Sequence, residues 1–464
     1  AMTFSVAISG KITGITQVSA REALGSNDFL KVNGTQIRKQ KGTGDIVYLR
    51  GTNAGGWLVQ ENWMNPTNAS DQRTMMDTLA NRFGASERDE LVSTYENNYW
   101  TTQDFDNCAE MGMSVIRLPF TYMNLCDDNG NLKSNAFDRL DWFVQNCSQR
   151  GMYVILDMHG AFGSQNGMDH SGEINDGKQL YYNQSNKDKT LNLWKKIAEH
   201  FKGNPAVAAY DILNEPGIKA AATYSLHWDF YNEIYNTIRS KDSNHIIIME
   251  SCWDADNLPR PSQYGWTNVA YEYHYYPWSD AQKSYFSSKV SDIANHNYGV
   301  PTFVGEFTCF EQAEGWKAAM STFNGQGWHW TTWSYKVTGN SSWGIYNHNP
   351  EKVDIYNDSA DTIKNKWSAV GTANGWKNDK IYNLVKPYLS GTVTSTGGST
   401  TDDSDNNSTS GVATLYEHSN YGGWAVSLEE GLYDYKDILA KGIVNDQISS
   451  LRVSDGYKVT IYDD

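Results

Sequence analysis

Residues 153–159 read Tyr-Val-Ile-Leu-Asp-Met-His, four large apolar or aromatic side chains followed by an acid and an imidazole. A short apolar run of this kind suits a strand buried on both faces, as in a parallel sheet covered by helices. The same unit returns on either side of it, at 46–51, 115–120, 207–214, 245–251, 269–276, 302–307 and 327–335. Amphipathic stretches such as 137–150, 191–201 and 228–240 lie between these runs. Eight buried strands alternating with helices predict an α/β protein, a closed parallel (β/α)8 TIM barrel. Residues 25–389 give that fold ample length, insertions included. A doubly wound open sheet would instead carry a glycine-rich phosphate loop after its first strand. Gly51–Gly56 (GTNAGG) does not match the GxGxxG pattern.

Composition narrows the class. The chain has 464 residues and a net charge of −16, from 38 Lys and Arg against 54 Asp and Glu. Hydrophobic residues make up 39%, enough for a large core, and a charged fraction of 20% is too low for a disordered polyelectrolyte. The acidic balance argues against a nucleic-acid or anionic-membrane partner. No apolar run approaches the ~18 residues of a membrane span. The stock of 17 Trp, 29 Tyr and 15 Phe would serve a neutral, flat-faced ligand such as a sugar, although core packing is the default use of aromatics. Five cysteines (Cys108, Cys126, Cys147, Cys252, Cys309) show no CxxC pattern and support neither a zinc site nor a dense disulfide framework.

Residues 390–411 (SGTVTSTGGSTTDDSDNNSTSG) contain no aromatic and read as a flexible linker between a long domain, 25–389, and a short one, 412–464. Residues 1–24 form an N-terminal extension. Its segment Thr3–Ala20 ends in Val-Ser-Ala like the tail of a secretory signal, yet its polar interruptions suit an ordinary first strand equally well.

In a (β/α)8 barrel the C-terminal strand ends form the mouth where chemistry sits. Here those ends carry Arg117, Asp157 and His159, Asn214-Glu215, His274-Tyr275-Tyr276, Glu306 and Trp333. Any one of them could be a satisfied core group, but the whole set converging on one rim argues for a site. Glu215 and Glu306, on strands four and seven, could flank a glycosidic bond, one protonating the leaving oxygen and the other attacking the anomeric carbon. Arg117 beside Glu306 would favour its carboxylate form, Asn214 would meet the sugar 2-hydroxyl, Tyr276 would hydrogen-bond the nucleophile and Trp333 would floor the ring. The rival use of His159, His274 and the two glutamates is a metal site, for which no HExxH or two-His-one-carboxylate spacing exists.

The series Arg117, His159, Asn214-Glu215-Pro216, His274–Tyr276, Gly305-Glu306 and Trp333 resembles glycoside hydrolase family five across the whole long domain. The resemblance implies a retaining mechanism with Glu215 as acid/base and Glu306 as nucleophile. Arg117, His159, Asn214, His274, Tyr276 and Trp333 would then line the subsite of the cleaved sugar. Two further segments, Gly51–Trp63 (GTNAGGWLVQENW) and Asp157–Gly172 (DMHGAFGSQNGMDHSG), resemble the exo-β-1,3-glucanase branch of that family. In that branch Glu61 and the loop Ser164–Gly172, including Asp169, would bind the terminal sugar. The chain departs from the branch at His170, where Asn is usual, at Asn62, where Pro is usual, and at Phe307, where Trp is common. An endo-β-1,4- or mixed-linkage glucanase is the alternative within the class. Outside it stands a non-catalytic carbohydrate- or calcium-binding protein.

In the short domain, Tyr416–Trp424 (YEHSNYGGW) followed by 445–450 resembles part of a βγ-crystallin Greek key, a small all-β module. That resemblance implies Ca²⁺ ligands at Asn445, Asp446 and Ser449, in keeping with a hard cation's preference for oxygen. Nine Asp and Glu against four Lys and Arg also leave the segment acidic. The partner key begins only at 457–464, so truncation and weak Ca²⁺ binding are expected. The sequence thus predicts a secreted, monomeric enzyme acting on a β-glucan polysaccharide or oligosaccharide, with no cofactor for catalysis.

Overall fold

The computed structural model describes residues 4–9, 21–217, 225–251, 254–339, 341–389 and, toward the C-terminus, 412–416, 425–429, 431–433, 437, 440–441, 448, 450–453 and 458–463. Eight parallel strands close into a barrel in chain order. They are β1 (Arg50–Asn53), β2 (Val115–Thr121), β3 (Tyr153–Gly160) and β4 (Val207–Asp211). Then follow β5 (Ile246–Glu250), β6 (Val269–Tyr275), β7 (Thr302–Phe307) and β8 (His329–Thr332), and β8 closes on β1 through Trp330 and Arg50. The TIM barrel expected from the sequence is therefore present.

Two expectations need correction. The first strand lies at 50–53 rather than 46–51, because Ile46 bridges Arg38 and the Val47 amide donates to Ile37 before the chain enters the wall. Arg117 does not end its strand, since β2 continues to Thr121. The helices between strands carry apolar stripes at helical spacing. Asp138–Gln149 buries Leu140, Phe143, Val144 and Cys147, and Ser225–Arg239 buries Phe230, Tyr231, Ile234 and Ile238. Asp71 accepts from the Thr74 amide at the start of Gln72–Phe83, satisfying a backbone donor the helix leaves open.

Strand periodicity sorts side chains between two environments. In β3, Val154, Leu156 and Met158 join the core under the helices, whereas Tyr153 and Ile155 join an inner cluster with Val115, Ala209, Ile248, Ala270 and Phe303. Leu30 and Ile37, flanking and within the hairpin Lys31–Asn33/Gln36–Arg38, belong to the same inner cluster. Continuing the period of two up each strand brings Arg117, Asp157, Asp211, Glu250 and Glu272 inward above that apolar floor. The barrel is thus greasy at one end and charged at the other, and the charged end is where the strands stop.

The contacts divide the chain into residues 20–393 and a second unit of residues 1–19 with 394–464. In the second unit Ala413–Tyr416 pairs antiparallel with both Ala425–Leu428 and Ser450–Val453. Phe4–Ser9 forms the middle strand of another sheet, between Gly431–Tyr433 and Lys458–Asp463. The linker 390–411 and the candidate calcium residues Asn445, Asp446 and Ser449 lie outside the described residues. Cys108, Cys126, Cys147 and Cys309 are free and buried, and Cys252 also lies outside the described residues. Among the described residues no helix is long and apolar enough to cross a membrane.

Candidate active site

Arg117 is the hub of the charged layer. Fully buried, its guanidinium contacts Asp211 at 2.7 Å, Asp157 at 3.1 Å, Glu272 at 3.4 Å and Glu306 at 3.0 Å, and it donates to Asn53 and Asn214 as well. A buried charge stays in place only when its desolvation is offset by such partners. Burial pushes the Asp157 and Asp211 carboxyls well up, Asp211 also because Glu272 lies against it. His159 donates from Nδ1 to Asp157 at 2.6 Å, and burial holds its imidazole neutral. Its Nε2 lone pair then faces Asn214 Nδ2 at 3.4 Å.

Glu306 and Glu215 stand above this layer. Glu306 accepts on both oxygens, from Arg117 Nη1 at 3.0 Å and from the Tyr276 hydroxyl at 2.5 Å. Glu215 follows β4 with φ at 42°, a left-handed conformation uncommon for a side-chain-bearing residue. That backbone is held from several sides. Its amide donates to Glu250 at 2.5 Å, and its carbonyl accepts from Asn166 Nδ2 at 3.0 Å and from the Gly217 amide at 2.6 Å. The two carboxylates meet at one imidazole nitrogen: His274 Nδ1 lies 2.8 Å from Glu215 Oε1 and 3.5 Å from Glu306 Oε2.

Those carboxylates control the protons. Burial would lower His274, but Glu250, Glu306, Glu215 and Glu272 around it drive it well above the usual imidazole range. Burial would raise Glu215, but His170 and His274 hold its carboxyl well below the usual range. Between Glu215 and its two histidine partners the proton is therefore favoured on the imidazoles. Glu215, Glu250 and His274 also form a trio with metal-ligand spacing.

The site opens into a cavity of about 550 Å³. Trp333 lies in its wall, its ring stacked on His159 with centroids 5.4 Å apart. Glu61 closes one side. Trp63 Nε1 donates to its Oε2 at 2.8 Å, its Oε1 has no partner, and burial raises its carboxyl to about 7. The neighbouring loop 164–172 is tightly made. Ser164 Oγ contacts Ser171 Oγ at 2.6 Å, and Gln165 Nε2 donates to the His159 and Asn214 carbonyls, tying the ends of β3 and β4 together. Trp278, 71% exposed, and Trp343 flank the open side.

Of the residues singled out from sequence, Glu61, His159, Glu215, Tyr276, Glu306 and Trp333 line the cavity. Arg117, Asn214 and His274 touch the carboxylates or their partners from beneath. Asp169 does not line it; its neighbour His170 does, 3.0 Å from Glu215 Oε2. Sequence reading passed over Glu272, Glu250 and Asp211. The period of two along β6, which sets Glu272 on the same face as His274, was the signal that would have found the first of them.

The family model described as cellulase (glycosyl hydrolase family 5) matches residues 54–339. The chain is 29% identical over 252 residues to a beta-xylosidase of Phanerodontia chrysosporium, covering 53% of this chain and 52% of that protein. It is 30% identical over 206 residues to a probable glucan 1,3-beta-glucosidase A of Aspergillus fumigatus, covering 43% and 49%. A glucan 1,3-beta-glucosidase of Blumeria graminis is 30% identical over 241 residues, covering 49% and 55%. The chain spans about half the length of the curated relatives it matches. Among solved structures, endogalactoceramidase superposes with a TM-score of 0.55 at 19% identity, over 77% of this chain and 84% of that one. Rutinosidase from Aspergillus niger gives 0.53 at 18% identity, over 69% and 98%. At these identities the likeness is one of fold.

Proposed function

The chain belongs to glycosyl hydrolase family 5, and from that premise we propose that it is a retaining hydrolase of β-glucans, exo-acting on β-1,3-linked chains. The observation that carries this reading is the single nitrogen shared by two carboxylates. Since His274 Nδ1 is 2.8 Å from Glu215 Oε1 and 3.5 Å from Glu306 Oε2, those oxygens are no farther apart than the two distances laid end to end. That closeness is compatible with the roughly 5–5.5 Å separation of a retaining pair, in which one carboxylate attacks the sugar directly.

Glu306, fixed on both oxygens by Arg117 and Tyr276, attacks the anomeric carbon, while Glu215 protonates the leaving oxygen. Water, deprotonated by Glu215, then releases the sugar from Glu306. Asn214 Oδ1 accepts from Arg117, and Nδ2, one hydrogen of which faces His159, keeps the other for the 2-hydroxyl of the bound sugar. Trp333, backed by His159, offers a flat apolar face to the ring. Exo action is supported by the closed side of the cavity. The unpartnered Glu61 Oε1 suits a terminal hydroxyl, whereas a continuing chain would need space where the Ser164–Gly172 loop stands. The relatives named for glucan 1,3-beta-glucosidase activity agree.

We read the protein as secreted and monomeric, with catalysis independent of a cofactor and Ca²⁺ held weakly or not at all by Asn445, Asp446 and Ser449. Titration calorimetry with Ca²⁺ tests the last point, and micromolar affinity would overturn it. Product profiles on β-1,3-, β-1,4- and mixed-linkage glucans test the main reading. Glucose as the dominant early product from β-1,3-glucan supports it. A ladder of oligosaccharides with a fast fall in viscosity would favour endo action.

A further inference from the structure

His170 belongs to the loop beside the cavity, not to a barrel strand, yet its ring is aimed at Glu215. Nε2 lies 3.0 Å from Glu215 Oε2 and 2.9 Å from Asn166 Nδ2. The Asn166 amide is pinned at both ends: its Oδ1 accepts from the Met168 amide at 2.8 Å, and its Nδ2 donates to the Glu215 carbonyl. One ring nitrogen therefore faces an acceptor and a donor together. Protonated, Nε2 donates to the Glu215 carboxylate; unprotonated, it accepts from Asn166. Both states have a partner in an unchanged geometry, the condition for passing a proton without rearrangement. The charged and titratable groups facing His170 are Glu215 after β4, Glu61 after β1, Glu306 on β7, Asp169 on its own loop and His159 on β3. His274 acts on it through the other oxygen of Glu215. Burial would lower His170, but these carboxylates push it up to about 9.

Resting on the reading of Glu215 as acid/base, we propose that His170 is a positioning residue that stores the general-acid proton for Glu215. In the first step the Nε2–H bond breaks and Glu215 is protonated. Glu215 then gives that proton to the leaving oxygen, whose bond to the anomeric carbon breaks as the bond to Glu306 forms. In the second step water gives a proton to Glu215, which returns it to Nε2, and the hydroxide so formed displaces Glu306. One proton leaves the pair and one returns.

The test is the pH profile of kcat/KM for wild type, H170N and H170Q on a β-1,3-gluco-oligosaccharide and on 2,4-dinitrophenyl β-glucoside, whose leaving group needs no proton. For the oligosaccharide, the alkaline limb should move down by at least about one pH unit in both variants. The rate should then fall about twofold or more at pH 8, roughly tenfold at pH 10 and little at pH 5. On the activated glycoside the limb should stay in place. An equal loss at every pH, or an unmoved limb, would overturn the storage role and leave His170 a packing residue. Glu215→Ala keeping the wild-type rate on the oligosaccharide would instead remove the acid/base reading of Glu215, and the proposal with it.

Discussion

Glu306 and Glu215 differ in what surrounds them, and so their loss should differ in kind. Glu306 has no neighbour able to replace it as a nucleophile, so Glu306→Ala should abolish turnover of natural and activated glycosides alike. Glu215→Ala should cost roughly 10²–10⁴-fold on natural glucans. It should spare the first step with a dinitrophenol leaving group, and added azide should speed release of the sugar; identical behaviour of the two variants would reverse the roles. Glu61 makes a separate prediction. Its carboxyl is raised from 4.5 to about 7 by burial, so the fold favours the protonated form. The resulting penalty is absent below pH 4, grows as pH rises toward 7 and is complete above it, worth about 3 kcal/mol. Glu61→Gln, neutral at every pH, should therefore gain stability relative to wild type between pH 5 and pH 8. Thermal melts at the two pH values measure it, and a pH-independent difference would contradict it.

At the scale of elements, a bulge and a glycine aim Glu306. The β6–β7 register shifts between Val304 and Glu306, and a Cβ on Gly305 would overlap Glu272 Oε1. Gly305→Ala must displace either Glu272 from Arg117 or Glu306 from its partners. It should lower both the melting temperature and kcat, the latter by tenfold or more; an unchanged kcat would mean that β7 does not position Glu306. Features of this size set the limit on what the sequence discloses. The apolar runs were legible because a strand covered on both faces needs apolar residues in succession, and Glu215 and Glu306 because they stand at the ends of such runs. Glu272 was not legible, since a buried acid inside a strand reads like any polar interruption until the strands are laid side by side. Asp169 and His170 differ by a single position in a loop. No periodicity decides which of two loop neighbours turns inward, and the structure turns His170.

The whole molecule holds its termini together in one unit. Phe4–Ser9 pairs with strands more than 400 residues away, along both of its edges. The extension that read equally as a leader or as a first strand therefore contributes backbone hydrogen bonds to the C-terminal module. Deleting residues 1–20 should sensitise 412–464 to proteolysis while leaving hydrolysis of β-glucan unchanged, and deleting 390–464 should likewise spare turnover. Loss of activity in either truncation would tie the module to catalysis. The central claim, however, is double displacement at Glu306. The most direct measurement is mass spectrometry of the enzyme inactivated with 2,4-dinitrophenyl 2-deoxy-2-fluoro-β-glucoside. The expected result is one fluoroglucosyl group per chain, carried by the peptide containing Glu306. A label on another residue, or no label alongside hydrolysis that releases the inverted anomer, would contradict it.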